Sequence, residues 1–503
     1  MTSTVGAWVR SHPVACLAIV IVVLTAARVT ALVLTPLNLG PDEAQYWSWS
    51  LDLTAGYFSK PPLIAWLIGG STAMCGTQEY CIRLFSPFMH AATGFVIFLA
   101  ASRLYDERVG FWSALTYWLI PGTSFSSLLI TTDVPLLLFW ALALWALASM
   151  QASRAWHWPV LLGASIGLGL LSKYAMLYFL LGITVAFLFT REGRSFLLDR
   201  RFALAGAVAL LVFSPNIIWN ISNSLATVRH TASNANWTAE NLFNLGNAFS
   251  FLGAQAGIIG PVAAGILIWG AVMAWRKWGL PPADRLMLAL SAPIILVVTF
   301  QAFISRANAN WAAPAFIALC ILACAWAVRS TKRWPLVANT TVNGTLALML
   351  CALAISPALV AALGQDNAAK RLRGWPKAGR TIVTMASSGS FTAILSDDRE
   401  DMASLYYYTR DRQVPLRMWP SINPANEYEA RHALSPDVAS RVLFVSRRKD
   451  VETVTGAFTS SERIGTIETR LDPKRTRIFY LHALTGPVTA ATFPSFSDRQ
   501  STD

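Results

Sequence analysis

Apolar runs of helical length recur along the first three quarters of the chain, separated by short polar connections. They fall near residues 14–35, 84–101, 111–130, 134–150, 158–171, 174–190, 202–218, 251–275, 286–304, 311–328 and 335–363. Most approach the ~20 residues that carry a helix across ~30 Å of hydrocarbon, with 158–171 on the short side. The pattern predicts a polytopic all-α membrane bundle of about eleven transmembrane helices. A further apolar run at 62–74 is short, opens on Pro61-Pro62 and contains Gly69-Gly70, so it reads as an interfacial or re-entrant segment. After residue 363 the pattern changes. Short β-rich runs (391–395, 414–419, 441–445, and a hairpin across 462–484) alternate with a helix near 399–408, which predicts a small α/β domain. Residues 1–363 therefore form a membrane domain and 364–503 a soluble one, with a Ser/Thr-rich tail frayed at the end.

Composition agrees with that division. The chain is 54% hydrophobic and 13% charged over 503 residues, which excludes a soluble globular enzyme and a disordered chain. Residues 1–363 hold 20 of the 40 Lys and Arg but only 11 of the 27 Asp and Glu. The net charge of +13 does not point to nucleic acid, because these cations sit in the short connections between apolar runs. With the N-terminus inside, 14 of them (Arg10, Arg103, Arg108, Arg154, Arg191, Arg194, Arg200, Arg201, Arg276, Lys277, Arg285, Arg329, Lys332, Arg333) face the cytoplasm. Five (Lys60, Arg83, Lys173, Arg229, Arg306) face outward. Counting 62–74 as a span would invert that bias. The soluble domain then lies outside the cytoplasm. The first run is too long for a cleavable signal and no A-x-A site follows it. Cys16, Cys320, Cys324 and Cys351 read as apolar filler, whereas Cys75 and Cys81 lie on the outer side as a candidate disulfide pair.

Few charges remain to carry chemistry. At the outer ends of the runs stand Asp42, Glu43, Asp52, Lys60, Glu79, Arg83, Asp133, Lys173, Arg229, Glu240 and Arg306. Each has a bland explanation. Asp42 suits the N-cap of a helix over 43–51, Asp133 suits another cap, Lys60 suits a snorkelling lysine, and Arg83 could face lipid headgroups. Convergence of several at one level favours function instead: carboxylates activate a hydroxyl while cations hold a phosphate. Arg28, inside the outer half of the first run, is an expensive place for an idle charge. Asn-rich stretches at 214–220, 234–241 and 305–316 offer amides and aromatic faces suited to sugars. No internal repeat, phosphate-cradling glycine loop, HExxH or CxxC occurs.

PDEAQYW at 41–47, KPPLIAW at 60–66 and TTD at 131–133, in that order, resemble the membrane-embedded GT-C glycosyltransferases related to protein O-mannosyltransferases. The likeness is nearest to the bacterial lipid A aminoarabinose transferase group, which includes lipid A and core galacturonosyltransferases. It extends to about residue 316, and ILSDDREDMASLYYYTRDR (394–412) resembles that group's outer domain. The resemblance implies an inner-membrane enzyme that moves a sugar from a polyprenyl-phosphate-linked donor to a lipid A-type or other periplasmic acceptor, inverting the anomeric centre. It implies Asp42, with Glu43 beside it, and Asp133 as catalytic carboxylates and Lys60 as the contact for the lipid phosphate; the chemistry adds Arg83 and Lys173 as further holders of that phosphate. Tyr46, Tyr174, Arg306 and Asn310 are candidates for binding sugar or acceptor. Gln45 departs from the aminoarabinose enzymes, which carry Arg there; that removes an anion contact and weakens the case for aminoarabinose as the sugar and lipid A phosphate as the acceptor. GT-C relatives differ in metal use, so no cofactor is assigned and a divalent metal stays open. A transporter or lipid flippase would also explain buried charge, but repeated halves and helices broken at the midplane are not evident. A protein O-glycosyltransferase would share these motifs. A non-enzymatic assembly factor would have no need of the adjacent acids.

The topology is directly testable. Reporter fusions after Ser195 and after Arg380 should report opposite sides of the membrane, and same-side signals would overturn the assignment.

Overall fold

The structure is a computed structural model that describes residues 13–189, 191–233 and 243–488. Arg10, Glu240, the 234–241 stretch and most of the Ser/Thr-rich tail lie outside the described residues. The chain forms two compact units. One comprises Met1–Thr35 and Lys60–Ile355, the other Pro36–Ser59 and Ser356–Asp503. The first outer loop, placed by sequence inside the membrane domain, thus belongs to the same unit as the C-terminal segment.

The first unit is a bundle of apolar helices, and the protein is a multi-pass membrane protein. Among the described residues, six helices are long and apolar enough to cross a bilayer: Val14–Leu34, Glu79–Leu104, Asp133–Ala152, Arg200–Ser222, Pro282–Ile304 and Trp334–Ile355. Leu63–Cys75, His157–Ser172, Tyr174–Phe187 and Ala315–Arg329 are apolar but shorter. Two expected runs are broken. The run at 251–275 divides into Leu245–Ile259 and Pro261–Trp278, bent by 108°. Gly260 supplies the bend with φ +88°, and Pro261 starts the next helix. The run at 111–130 ends as a helix at Leu119, because Ile120 turns extended (ψ 144°) ahead of Pro121. That break frees backbone carbonyls, and Arg28 answers one of them by donating Nη2 to the Trp118 carbonyl. The charge that is too expensive to stand idle in the first run therefore closes a helix terminus.

Trp118, Trp140, Phe179 and the Ala-rich helix Ala315–Arg329 fill the interior of the bundle. Several polar side chains there are paired, although the Trp140 indole Nε1 has no hydrogen-bond partner among the described residues. His90 bonds Tyr117 OH (2.8 Å) and Ser126 Oγ (3.0 Å), and Asp284 binds Arg329 (2.8 Å) and the Trp326 indole (2.8 Å). Cys75 and Cys81 are joined as a disulfide.

The second unit is built on a five-stranded sheet of order β2-β1-β3-β5-β4. Its strands are β1 (Ala393–Ser396), β2 (Leu416–Met418), β3 (Arg441–Ser446), β4 (Phe458–Asp472) and β5 (Arg475–Pro487). β1 pairs in parallel with β2 and β3, while β5 runs antiparallel to β3 and β4. The expected strands and the hairpin are all present, and the expected helix spans Arg399–Tyr408, capped by Asp398. The Pro36–Ser59 segment docks by specific bonds. Leu39 N donates to Tyr408 OH (2.7 Å), Asn38 N to the Leu372 carbonyl (2.8 Å), and Phe58 N to Glu427 Oε2 (2.8 Å). Trp47 packs edge-on against Tyr407, with ring centroids 4.9 Å apart.

Close packing in the bundle gives a stability prediction. A Cβ on Gly94 would sit 1.9 Å from Trp118 Nε1, the indole that donates to the His90 carbonyl at 3.1 Å. Gly94→Ala should destabilise the protein by about 1–3 kcal/mol through overpacking, seen as a lower melting temperature in detergent. An unchanged melting point would mean the indole relocates freely.

Candidate active site

Helix Pro41–Ser50 presents the first-loop carboxylates, and the two differ in role. Gly40 is the N-cap and Pro41 the first helical residue, so the expected cap at Asp42 is displaced by two positions. Glu43, in the first turn, folds back to accept a bond from Gly40 N at 2.8 Å and is 4% exposed. Glu43 is thus engaged with its own helix end. Asp42 instead points outward, its side chain 65% exposed. Arg399, at the start of helix Arg399–Tyr408, reaches it: Nη1 lies 3.1 Å from Asp42 Oδ1 and 2.5 Å from Gln45 Oε1. Burial opposes the Arg399 charge, but the charge and hydrogen bond of Asp42 outweigh it and hold the guanidinium above its ordinary value. Gln45, where an arginine was expected from the resemblance, is therefore answered by an arginine from the other end of the unit. Tyr46 is buried, its ring centroid 5.4 Å from that of Trp49.

In the first unit the structure brings three other candidates together. Asp133 begins the helix Asp133–Ala152 and is 5% exposed. Lys173 Nζ donates to Asp133 Oδ1 at 2.7 Å, and Asn310 Nδ2 donates to Oδ2 at 2.7 Å. Lys173 is held extended (φ −164°, ψ 137°) between two helices, which turns its side chain out of the helical register. The next residue, Tyr174, donates its hydroxyl to Asn216 Oδ1 (2.8 Å) and accepts from Asn220 Nδ2 (3.1 Å). Both asparagines belong to the Asn-rich 214–220 stretch, which forms part of the helix Arg200–Ser222. Arg83 is buried at the end of Glu79–Arg83, two residues past the Cys75–Cys81 bridge. Lys60 is half-buried and Arg306 is exposed. Among the described residues no three His, Cys, Asp or Glu side chains converge as a metal site.

Arg399 is the residue that sequence reasoning missed. Its signal was present, since it lies in the 394–412 stretch that carries the outer-domain likeness, but it stood among seven other charges there.

Comparison with known proteins gives this arrangement a class. Residues 59–219 match the family described as dolichyl-phosphate-mannose-protein mannosyltransferase. The chain is 34% identical over 426 residues to the lipid A galacturonosyltransferase RgtD of Rhizobium johnstonii, covering 84% of this chain and 89% of that protein. It is 25% identical over 299 residues to the lipopolysaccharide core galacturonosyltransferase RgtA of the same organism, covering 57% of this chain and 59% of that one. In structure it is similar to ArnT from Cupriavidus metallidurans bound to undecaprenyl phosphate. The TM-score is 0.66 at 18% identity, over 93% of this chain and 99% of that one. The chain belongs to the ArnT-like group of GT-C membrane glycosyltransferases.

Removing the clamp tests the first-loop geometry. Arg399→Ala should lower the sugar-transfer rate on the order of tenfold, the worth of about one charge-assisted hydrogen bond, with the melting temperature little changed. Arg399→Lys should recover only part, because both acceptors are met by one guanidinium nitrogen, Nη1, whose position a compact ammonium on a differently shaped side chain does not copy. Unchanged turnover in both variants would reduce the contact to a surface ion pair.

Proposed function

We propose that the protein is an inverting glycosyltransferase that moves a sugar from a polyprenyl phosphate donor to a lipid A or lipopolysaccharide-type acceptor. Its site faces the periplasm from the bacterial inner membrane. The observation that carries this reading is the 34% identity with a lipid A galacturonosyltransferase across 84% of the chain. Galacturonic acid is accordingly the first sugar to test. Orientation rests on the distribution of the Lys and Arg residues, and the Cys75–Cys81 bridge suits an oxidising compartment.

The chemistry is a single displacement. An acceptor hydroxyl oxygen bonds to the sugar anomeric carbon as the bond from that carbon to the phosphate oxygen breaks. The hydroxyl proton passes to a carboxylate, and the polyprenyl phosphate leaves with the bonding pair. Asp42 is the base in this reading, since it is the exposed member of the first-loop pair and Arg399 fixes its direction. Glu43 supports the helix that presents it. Lys60, Arg83 and Lys173 offset charge on the departing phosphate. Asp133 and Asn310 orient Lys173, so its ammonium is positioned before the donor arrives. Tyr46, Tyr174 and Arg306 remain candidates for holding sugar or acceptor. A protein acceptor is the second reading, favoured by the match of residues 59–219 to the protein mannosyltransferase family.

Mass spectrometry of lipid A, core oligosaccharide and membrane glycoproteins, with and without the gene, separates the two. The first reading expects one sugar to disappear from lipid A or core upon deletion. Restoring the gene should return it and restoring Asp42→Asn should not, although the variant accumulates normally in the membrane. Loss confined to glycoproteins would replace the lipid reading, and full restoration by Asp42→Asn would remove Asp42 from the mechanism.

A further inference from the structure

The second unit carries a group of cations that the first-loop clamp does not use. β2 buries Leu416 and Met418, which turns Arg417 to the opposite side of this edge strand. The segment around His432 runs beside it: Met418 N donates to the His432 carbonyl at 2.8 Å, and Leu434 N to the Met418 carbonyl at 2.8 Å. His432 is thereby held next to Arg417. The rings of Tyr406 and Tyr428 stand 5.4 and 5.9 Å from the imidazole, and the Arg412 guanidinium lies 4.5 Å over the Tyr406 ring. Arg431 adjoins His432 in the chain.

These charges are not balanced. Arg431 pairs with Glu427 at 2.8 Å and with Asp52 at 3.6 Å. Arg412 donates to the carbonyls of Tyr406 (3.3 Å) and Thr409 (3.1 Å) but meets no carboxylate among the described residues. The Arg417 guanidinium and the His432 imidazole, both half-buried, make no hydrogen bond or ion pair among the described residues. Asp437 feels the Arg417 charge without pairing with it. The cost is visible in His432, which burial and then Arg417, Arg412 and Arg431 push down to about 4. Half-buried like charges with spare donors, walled by aromatic rings, are stabilised by an oxyanion, and the arginine fork matches phosphate and carboxylate.

We propose that Arg412, Arg417 and His432 form an oxyanion subsite, walled by Tyr406 and Tyr428, that takes a phosphate or carboxylate of the acceptor glycolipid. The proposal rests on the reading of the protein as a glycosyltransferase with a lipid acceptor. Tyr428 ties the subsite to that reading, because its hydroxyl meets Ser48 Oγ at 3.1 Å on the helix that carries Asp42. Ser48 lies six helical positions from Asp42, about 9 Å along the axis. In this proposal the hydroxyl at Asp42 and the anionic substituent at Arg417 belong to one phosphorylated or carboxylated saccharide headgroup.

Binding by the purified full-length protein in neutral detergent tests this. The probes are bisphosphorylated lipid A, the same lipid after phosphatase treatment, phosphatidylglycerol and inorganic phosphate. Wild type should prefer the phosphorylated lipid A by on the order of tenfold, two partly exposed charge contacts. Arg412→Gln with Arg417→Gln should abolish the preference, and Arg417→Lys should keep most of it. If the double variant melts early, Arg417→Gln alone decides, since that side chain makes no bond among the described residues. Retention of the preference in a folded variant overturns the subsite. Competition by phosphatidylglycerol or inorganic phosphate as strong as by lipid A overturns the acceptor as its occupant. A lost preference together with full transfer by Asp42→Asn would leave the subsite standing and sink the first-loop mechanism instead.

Discussion

Within the second unit, the docking of the Pro36–Ser59 segment onto the C-terminal fold is the constraint on which the first-loop geometry depends. That segment carries a short helix of ten residues, too short to hold its shape in water on its own. Tyr408, Leu372, Glu427, Tyr428 and Arg399 each meet it through a named bond. Each such bond is worth about 1 kcal/mol net, so several in parallel are needed to hold the helix in one place. The adjacent acids then separate. Glu43 closes the helix end, which leaves Asp42 exposed with its direction set by Arg399. One carboxylate sustains the fold and its neighbour is available for a proton.

The membrane unit solves a different problem. Hydrocarbon offers no partner for backbone or charge, so every interruption of a helix must be answered from within. Arg28 answers the break after Leu119, and Asn343 Nδ2 donates to the Ile259 carbonyl at 3.3 Å beside the break at Gly260. Asp133, Lys173 and Asn310 form a neutralised trio where an unpaired carboxylate or ammonium would be costly. Lys173 keeps further N–H donors even while it pairs with Asp133.

Much of this was legible in the sequence, for reasons tied to particular residues. The β-rich runs and the 399–408 helix are local signals and fell where expected, and the structure adds Asp398 as the cap of that helix. The bend at Gly260-Pro261 was written in the sequence, yet a hydropathy run averages over two residues and hides it. Glu43 at the third helical position is the capping signal, whereas Asp42, at the second, suits a cap only if the helix starts two residues later than it does. Asp133 and Lys173 were both candidates on chemical grounds, but their pairing across 40 positions is a product of packing. Arg399 lies 357 residues from Asp42, and no local pattern joins them.

The claim most exposed to test is that Asp42 and Arg399 act as one device. A double-mutant cycle on the transfer rate, using Asp42→Asn and Arg399→Ala singly and together in the purified enzyme, measures their coupling. The account predicts strong non-additivity: once Asp42 is replaced, removing Arg399 should cost the residual rate almost nothing more. Losses that simply multiply would show that the arginine serves some other step, and that the carboxylate does not depend on it.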